Sequence, residues 1–371
     1  MKPWTGWLTF VGAVAALVAV ILAPAQSAPV SPASANLSST HYRVGLGGWL
    51  SGLEGLLASL FPVPPTTTTT TTAPSTTTTT ITSTSTSSTT TTTTAGPGPT
   101  SCGNQQTLVA DGSTWTCTFD SEFTGTSLNT KQWVPITTAT SGYTSGQTAC
   151  FMNSPKNISV GNGYLSLTAR KETVPFLCQD EYGSFFTPYS SGTVSTYGLF
   201  SQAYGRFDIK AKLPPATVAG LQTSLWLTPQ NPTKYGPGTA TGEIDIAEMF
   251  SQFSTLAIPT LHYNFDSTTV NAATNTNVAT NDQCTIDPTQ FNDYVLEWTP
   301  TTMTTIYNGH TCLVDHWLPA SPEVSPQPFD QPFYVNLTQA LGIGTNAFNP
   351  SNTPLPATSE IKYVRVWQQQ P

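Results

Sequence analysis

From Pro64 to Thr100 the chain is almost entirely Thr, Ser, Pro and Gly, and no charged residue occurs between Glu54 and Asp111. Such a tract has no apolar groups with which to offset the entropy of ordering. Residues 64–100 therefore read as an extended linker, and their hydroxyls make them a candidate O-glycosylated stalk. The tract divides the 371 residues into a short leader and one long segment, so any sizeable core must come from residues 101–371.

The leader has one early charge, Lys2, then a largely apolar run from Trp7 to Leu22 and the small residues Ala23-Pro24-Ala25. That layout predicts a secretory signal over residues 1–25 and export of the protein. An uncleaved membrane anchor is the competing reading, because the run is only slightly short of the roughly 18 residues that span a bilayer. In residues 26–63, Trp49, Leu50, Leu53, Leu56, Leu57, Leu60 and Phe61 recur at spacings of three and four. They would share one face of a short helix that could touch a cell-wall or envelope component. Gly47, Gly48, Gly52 and Gly55 oppose that helix at about 1 kcal/mol each, so an unstructured segment competes.

Six cysteines lie between Cys102 and Cys312. In an exported chain they are expected to form three disulfides, and nearness in sequence favours Cys102 with Cys117, Cys150 with Cys178, and Cys284 with Cys312. No Cys-x-x-Cys pair is present to suggest zinc or redox chemistry. Acidic residues outnumber basic ones by 20 to 12 and no basic run occurs, which argues against nucleic acid as a partner. Aromatic residues, at 11%, outnumber charged ones, at 9%. That balance suits a monomeric extracellular protein that meets neutral polymers through ring stacking and hydroxyl hydrogen bonds.

Residues 101–371 alternate in short segments separated by Gly, Pro, Asn and Ser. In Tyr204–Leu213, Phe207, Ile209, Ala211 and Leu213 share one face, while Arg206, Asp208, Lys210 and Lys212 share the other. Period two marks a strand with one buried side. Tyr164–Ala169, Tyr294–Trp298, Phe333–Leu337 and Ile361–Trp367 read the same way, and no long stretch keeps a helical period. The expected fold is all-β, a large two-sheet sandwich.

Three of the 20 acidic residues, Glu243, Asp245 and Glu248, fall within six positions of an otherwise apolar strand. On a regular strand Glu243 and Asp245 share a face and Glu248 points the other way. A β-bulge near Ile246 or Ala247 would bring all three together. Two glutamates leaning toward each other could then reach the separation of about 5 to 5.5 Å needed for a nucleophile and a proton donor in retaining glycoside hydrolysis. Crowded carboxylates do not all ionise together, so one would keep its proton, as a general acid must. A solvated acidic face or a calcium site would use the same residues.

The surrounding residues sharpen the choice. Phe119-Asp120-Ser121-Glu122-Phe123 with Trp133, Asn157-Ile158-Ser159-Val160, Tyr204-Gly205-Arg206-Phe207-Asp208, Ser224-Leu225-Trp226-Leu227, Leu261-His262-Tyr263, Glu297-Trp298-Thr299 and Tyr363-Val364-Arg365-Val366-Trp367 follow in order around Glu243-x-Asp245-x-x-Glu248. From about Leu108 to Gln368 the chain resembles glycoside hydrolase family sixteen, the laminarinase and β-glucanase group. The resemblance implies a curved β-jelly roll and a β-linked polysaccharide, most simply a β-1,3 or mixed-linkage glucan, as substrate. It also implies Glu243 as nucleophile, Glu248 as acid/base and Asp245 as helper, with no organic cofactor. Trp226 is expected near the reacting sugar, His262 near Glu248, and Asn157 on the cleft wall, where a strand-start cap is the alternative. Many β-1,3-glucanases of the family have Trp where this chain has Gln222, and Trp-Pro where it has Tyr235-Gly236-Pro237. Tyr235 is the candidate replacement stacking surface. Lys362 stands where an Asp often supports a structural calcium ion, so no metal is expected. A transglycosylase, a galactan-cleaving enzyme and a non-catalytic carbohydrate-binding protein are the alternative functions.

Overall fold

The computed structural model describes residues 102–105, 107–110, 113–180, 183–264 and 279–369. The expected signal (1–25), N-terminal segment (26–63) and linker (64–100) lie outside the described residues.

The strands are β1 (Thr107–Ala110), β2 (Ser113–Ser121), β3 (Val134–Pro135), β4 (Thr144–Ser145), β5 (Ala149–Phe151), β6 (Ile158–Gly161), β7 (Tyr164–Cys178), β8 (Phe185–Ser195) and β9 (Gly205–Lys212). They continue with β10 (Leu221–Pro229), β11 (Glu243–Phe250), β12 (Ile258–His262), β13 (Asn292–Trp298), β14 (Met303–Tyr307), β15 (His310–Asp315), β16 (Phe333–Leu341) and β17 (Ala357–Gln369). Among the described residues the only α-helix is the single turn Thr138–Ser141.

One antiparallel sheet runs β3-β8-β16-β10-β11-β12. The second is built on β17, which has β9 along one edge and shares the other between β2 and β7. Beyond β9 lie β13, β14 and β15. The outer half of β7 leaves this sheet to pair with β8, joining the two layers at one side. There the β4–β5 hairpin is added through a parallel β5–β8 contact and fastened to the end of β7 by Cys150–Cys178. Cys102–Cys117 and Cys284–Cys312 complete the three pairings expected from sequence spacing.

Alternation explains the core. On β9, Phe207, Ile209 and Ala211 are buried between the sheets, opposed by Leu225, Leu227, Ile244, Val335 and Leu337 from the other layer. Each of these side chains larger than alanine contributes about 1.5–3 kcal/mol of burial. The other face of β9 carries Lys210, 2.9 Å from Asp293 directly opposite it on β13, and Arg206, paired with Glu297. Several strands outrun the sequence reading, with β13 starting at Asn292 and β16 running on to Leu341. β7 continues from Ala169 to Cys178 through Pro175, where the buried alternation is lost, and β17 begins four residues before Ile361.

Asp315, at the end of β15, is wholly buried and neither carboxyl oxygen makes a well-formed hydrogen bond. Burial pushes its pKa up to about 7, offset only in part by His316. Between about pH 4 and 7 the folded protein thus keeps a proton that the unfolded chain has lost. Stability falls as pH rises through that window, by up to about 1.4 kcal/mol per pH unit for this group. Asp315→Asn should remove this component. In thermal melts, its Tm relative to wild type is expected to climb between pH 4.5 and 7.5; a constant difference would contradict the assignment.

Candidate active site

All eight residues of β11 are buried although three are acidic. The reason is a bulge. Against β10, Trp226 pairs with Asp245 and Leu225 with Ala247, leaving Ile246 as the extra residue. Against β12, Asp245 pairs with Thr260 and Glu248 with Ile258, so three steps on β11 match two on its neighbour. The added residue restores Glu248 to the face of Glu243 and Asp245, and Ile244, Ile246, Ala247 and Met249 all enter the core.

A bulge frees backbone groups from the ladder. Here the Ile246 carbonyl accepts a 2.7 Å hydrogen bond from the hydroxyl of Tyr307, which arrives from β14 in the opposite sheet. Leaving such a buried acceptor unmet costs about 1–3 kcal/mol. Burial, reinforced by Tyr294, Asp245 and Glu248, raises the Tyr307 phenol well above its ordinary range and keeps it a donor.

The carboxylates open into a cleft whose floor is the solvent side of β8, β16, β10, β11 and β12. Glu243, Asp245 and Glu248 are 7%, 3% and 4% exposed. His262 stands opposite Glu243, with Nε2 2.8 Å from Asp245 Oδ2 and 3.9 Å from Glu243 Oε1. The expected contact of His262 with Glu248 is therefore corrected: the β11–β12 register directs the ring to Asp245. An ionised Asp245 only accepts, and in that state the bond places the Nε2 proton toward it. Atoms of Glu243, Asp245 and His262 lie within 4.8 Å of one another, a crowding that could serve a cation. The His–Asp hydrogen bond accounts for it without one.

Glu248 instead accepts from the Gln222 amide, Nε2 to Oε1 at 3.0 Å. Trp226 faces the cleft and donates its indole N–H to Thr338 Oγ1 at 3.1 Å. Two expected site residues are not brought together with the carboxylates. Asn157 is buried, its amide divided between the Thr168 carbonyl (3.0 Å) and Ser190 Oγ (2.9 Å), so it ties β7 to β8 at the start of β6. Tyr235 is not among the residues lining the cleft; its hydroxyl donates to Asp330, and Lys234 Nζ lies 4.7 Å from its ring centroid.

Other cleft residues escaped the sequence reading. Tyr334, Asn336 and Thr338 alternate with the core residues Phe333, Val335 and Leu337 on β16, so period two contained the signal. Burial pushes the Tyr334 phenol up to about 12, with Tyr197 and Glu243 adding to the effect against the Thr228 hydrogen bond. Its hydroxyl remains neutral beside Glu243. Asn336 Nδ2 donates to Thr228 Oγ1 at 2.9 Å. The cleft is thus lined by hydroxyls, amides and aromatic rings around three acids, a surface matched to sugar hydroxyls and C–H faces.

Residues 145–338, just over half of the chain, match the family model described as glycosyl hydrolases family 16. The glucan endo-1,3-beta-glucosidase A1 of Niallia circulans is 30% identical over 264 residues, covering 67% of this chain and 37% of that protein. The keratan-sulfate endo-1,4-beta-galactosidase of Sphingobacterium multivorum is 29% identical over 180 residues, covering 48% and 40% respectively. The chain therefore spans well under half of the length of either relative. Among solved structures, the endo-beta-1,3-glucanase from Pyrococcus furiosus superposes with a TM-score of 0.57 at 22% identity, over 71% of this chain and 98% of that one. That likeness establishes the jelly-roll fold.

Proposed function

Because the chain belongs to glycosyl hydrolases family 16, we propose that it is an exported endo-hydrolase that cleaves a β-1,3 or mixed-linkage glucan with retention of configuration. The observation that carries this reading is the bulge that delivers Glu243, Asp245 and Glu248 to one face of a cleft lined by hydroxyls and aromatic rings. Glu243 attacks the anomeric carbon while Glu248 gives its proton to the departing glycosidic oxygen. Water, deprotonated by Glu248, then releases the glycosyl-Glu243 intermediate. His262, hydrogen-bonded to Asp245, fixes that helper carboxylate between the two glutamates. Residues 1–25 would direct export, and the stalk at 64–100 would space the enzyme from whatever residues 26–63 contact.

A galactan substrate is the second reading, favoured by the galactosidase relative and by Gln222 in place of an indole. Reducing-end release from laminarin, lichenan, agarose and keratan sulfate separates the two, with NMR of the first product to read the anomer. Laminarin or lichenan cleavage giving the β-anomer first is expected. Cleavage of the galactans alone would move the substrate, and cleavage of none would remove the hydrolase reading.

A further inference from the structure

Gln222 lies on the cleft face of β10, two residues before Ser224, which pairs directly with Glu248. It is 6% exposed. Its Nε2 donates to Glu248 Oε1 at 3.0 Å and lies 3.4 Å from Ser224 Oγ. Its backbone is tied down as well, the carbonyl accepting from Gln339 Nε2 at 3.2 Å. The other groups around Glu248 are Glu243 and Asp245 on its own strand, His262 on β12 bonded to Asp245, and Tyr307 on β14 bonded to the Ile246 carbonyl. Gln222 and Ser224, from β10, carry no charge. Glu248 thus has two carboxylates along its own strand and a neutral amide donor across from it.

We propose that Gln222 is a positioning residue for Glu248, holding its carboxyl toward the cleft and favouring its ionised form. This rests on the reading of Glu248 as the acid/base. Such a group must be protonated to expel the leaving sugar and ionised to activate water. Like charge on Glu243 and Asp245 drives it toward the protonated state. The amide pulls the other way, because a hydrogen bond to an ionised oxygen is about twice as strong as its neutral counterpart. Gln suits the position better than Lys or Trp: turned over, the same amide offers its oxygen to the protonated acid, so both states of Glu248 have a partner. An indole or an ammonium can only donate.

The test is a 13C NMR titration of the full chain labelled in its Glu carboxyls, with the Glu248 signal assigned by its loss in Glu248→Gln. Gln222→Met keeps the length of the side chain and removes the donor. The Glu248 midpoint is expected to rise by about one pH unit in that variant. The basic limb of kcat/KM on the cleaved polysaccharide should rise with it; a purely structural role would lower activity at every pH and leave the limb in place. Gln222→Glu, which substitutes an acceptor of the same shape, should move the midpoint further in the same direction and serves if the Met variant does not fold. An unchanged Glu248 midpoint in folded variants overturns the proposal. A shifted midpoint in a protein that cleaves no polysaccharide leaves the Gln222–Glu248 coupling standing and overturns the enzymatic reading instead.

Discussion

Glu243→Gln is expected to lower turnover by roughly 10⁴-fold or more while leaving polysaccharide binding nearly intact. The substitution keeps the side chain's shape but takes away the electron pair that attacks the anomeric carbon in the proposed mechanism. Every other cleft-facing group, including Trp226, Tyr334 and Asn336, stays where it is. Hydrolysis assays paired with affinity electrophoresis on the same glucan would check both halves. Undiminished hydrolysis would exclude Glu243 as nucleophile. A wild-type protein that binds as the variant does, and also never cleaves, would make the chain a carbohydrate-binding protein.

Glu248→Ala should behave differently, and the difference identifies the mechanism. Loss of the proton donor is expected to cost about 10²–10⁴-fold on polysaccharide, whose leaving sugar needs protonation. Aryl glycosides with acidic phenol leaving groups should still form the glycosyl-Glu243 intermediate, then stall because no base activates water. A burst of phenol followed by a slow phase is the expected trace. Azide, a nucleophile that needs no base, should relieve the slow phase and give a glycosyl azide of retained configuration. Absence of both the burst and the azide effect would remove Glu248 from the acid/base role.

Much of this arrangement was legible in the residue pattern, for reasons that can be stated. A sandwich strand exposes its burial through period two, so β9, β13 and the start of β16 stood out. The bulge left a trace as well: Ile246 and Ala247 are adjacent apolar residues that break the alternation between Glu243 and Glu248, and both face the core. What could not be read was register between distant strands. The partner of His262 depends on how β12 lies along β11: it stands opposite Glu243, within reach of Asp245, while Glu248 pairs with Ile258 four residues away. Asn157, next to the start of β6, and Tyr235, in the loop between β10 and β11, illustrate the same limit, since such polar and aromatic residues serve scaffold and cleft equally well in sequence. Tyr307 lies 61 residues from the carbonyl it holds, with nothing local to connect them.

That bond between Tyr307 and the Ile246 carbonyl separates two tasks that many enzymes entangle. The bulge that spaces the acids is held from behind, by a residue that does not line the cleft, whereas much of the cleft surface is formed by side chains on β8, β10 and β16. Cleft-facing changes on those three strands that spare Gln222 should retune which polymer is accepted while leaving the reacting groups in place. For redesign, the useful boundary is accordingly the plane of this sheet: open-side positions other than the three acids, His262 and Gln222 are the ones to vary in search of new glycans, and positions behind it are the chassis to leave alone.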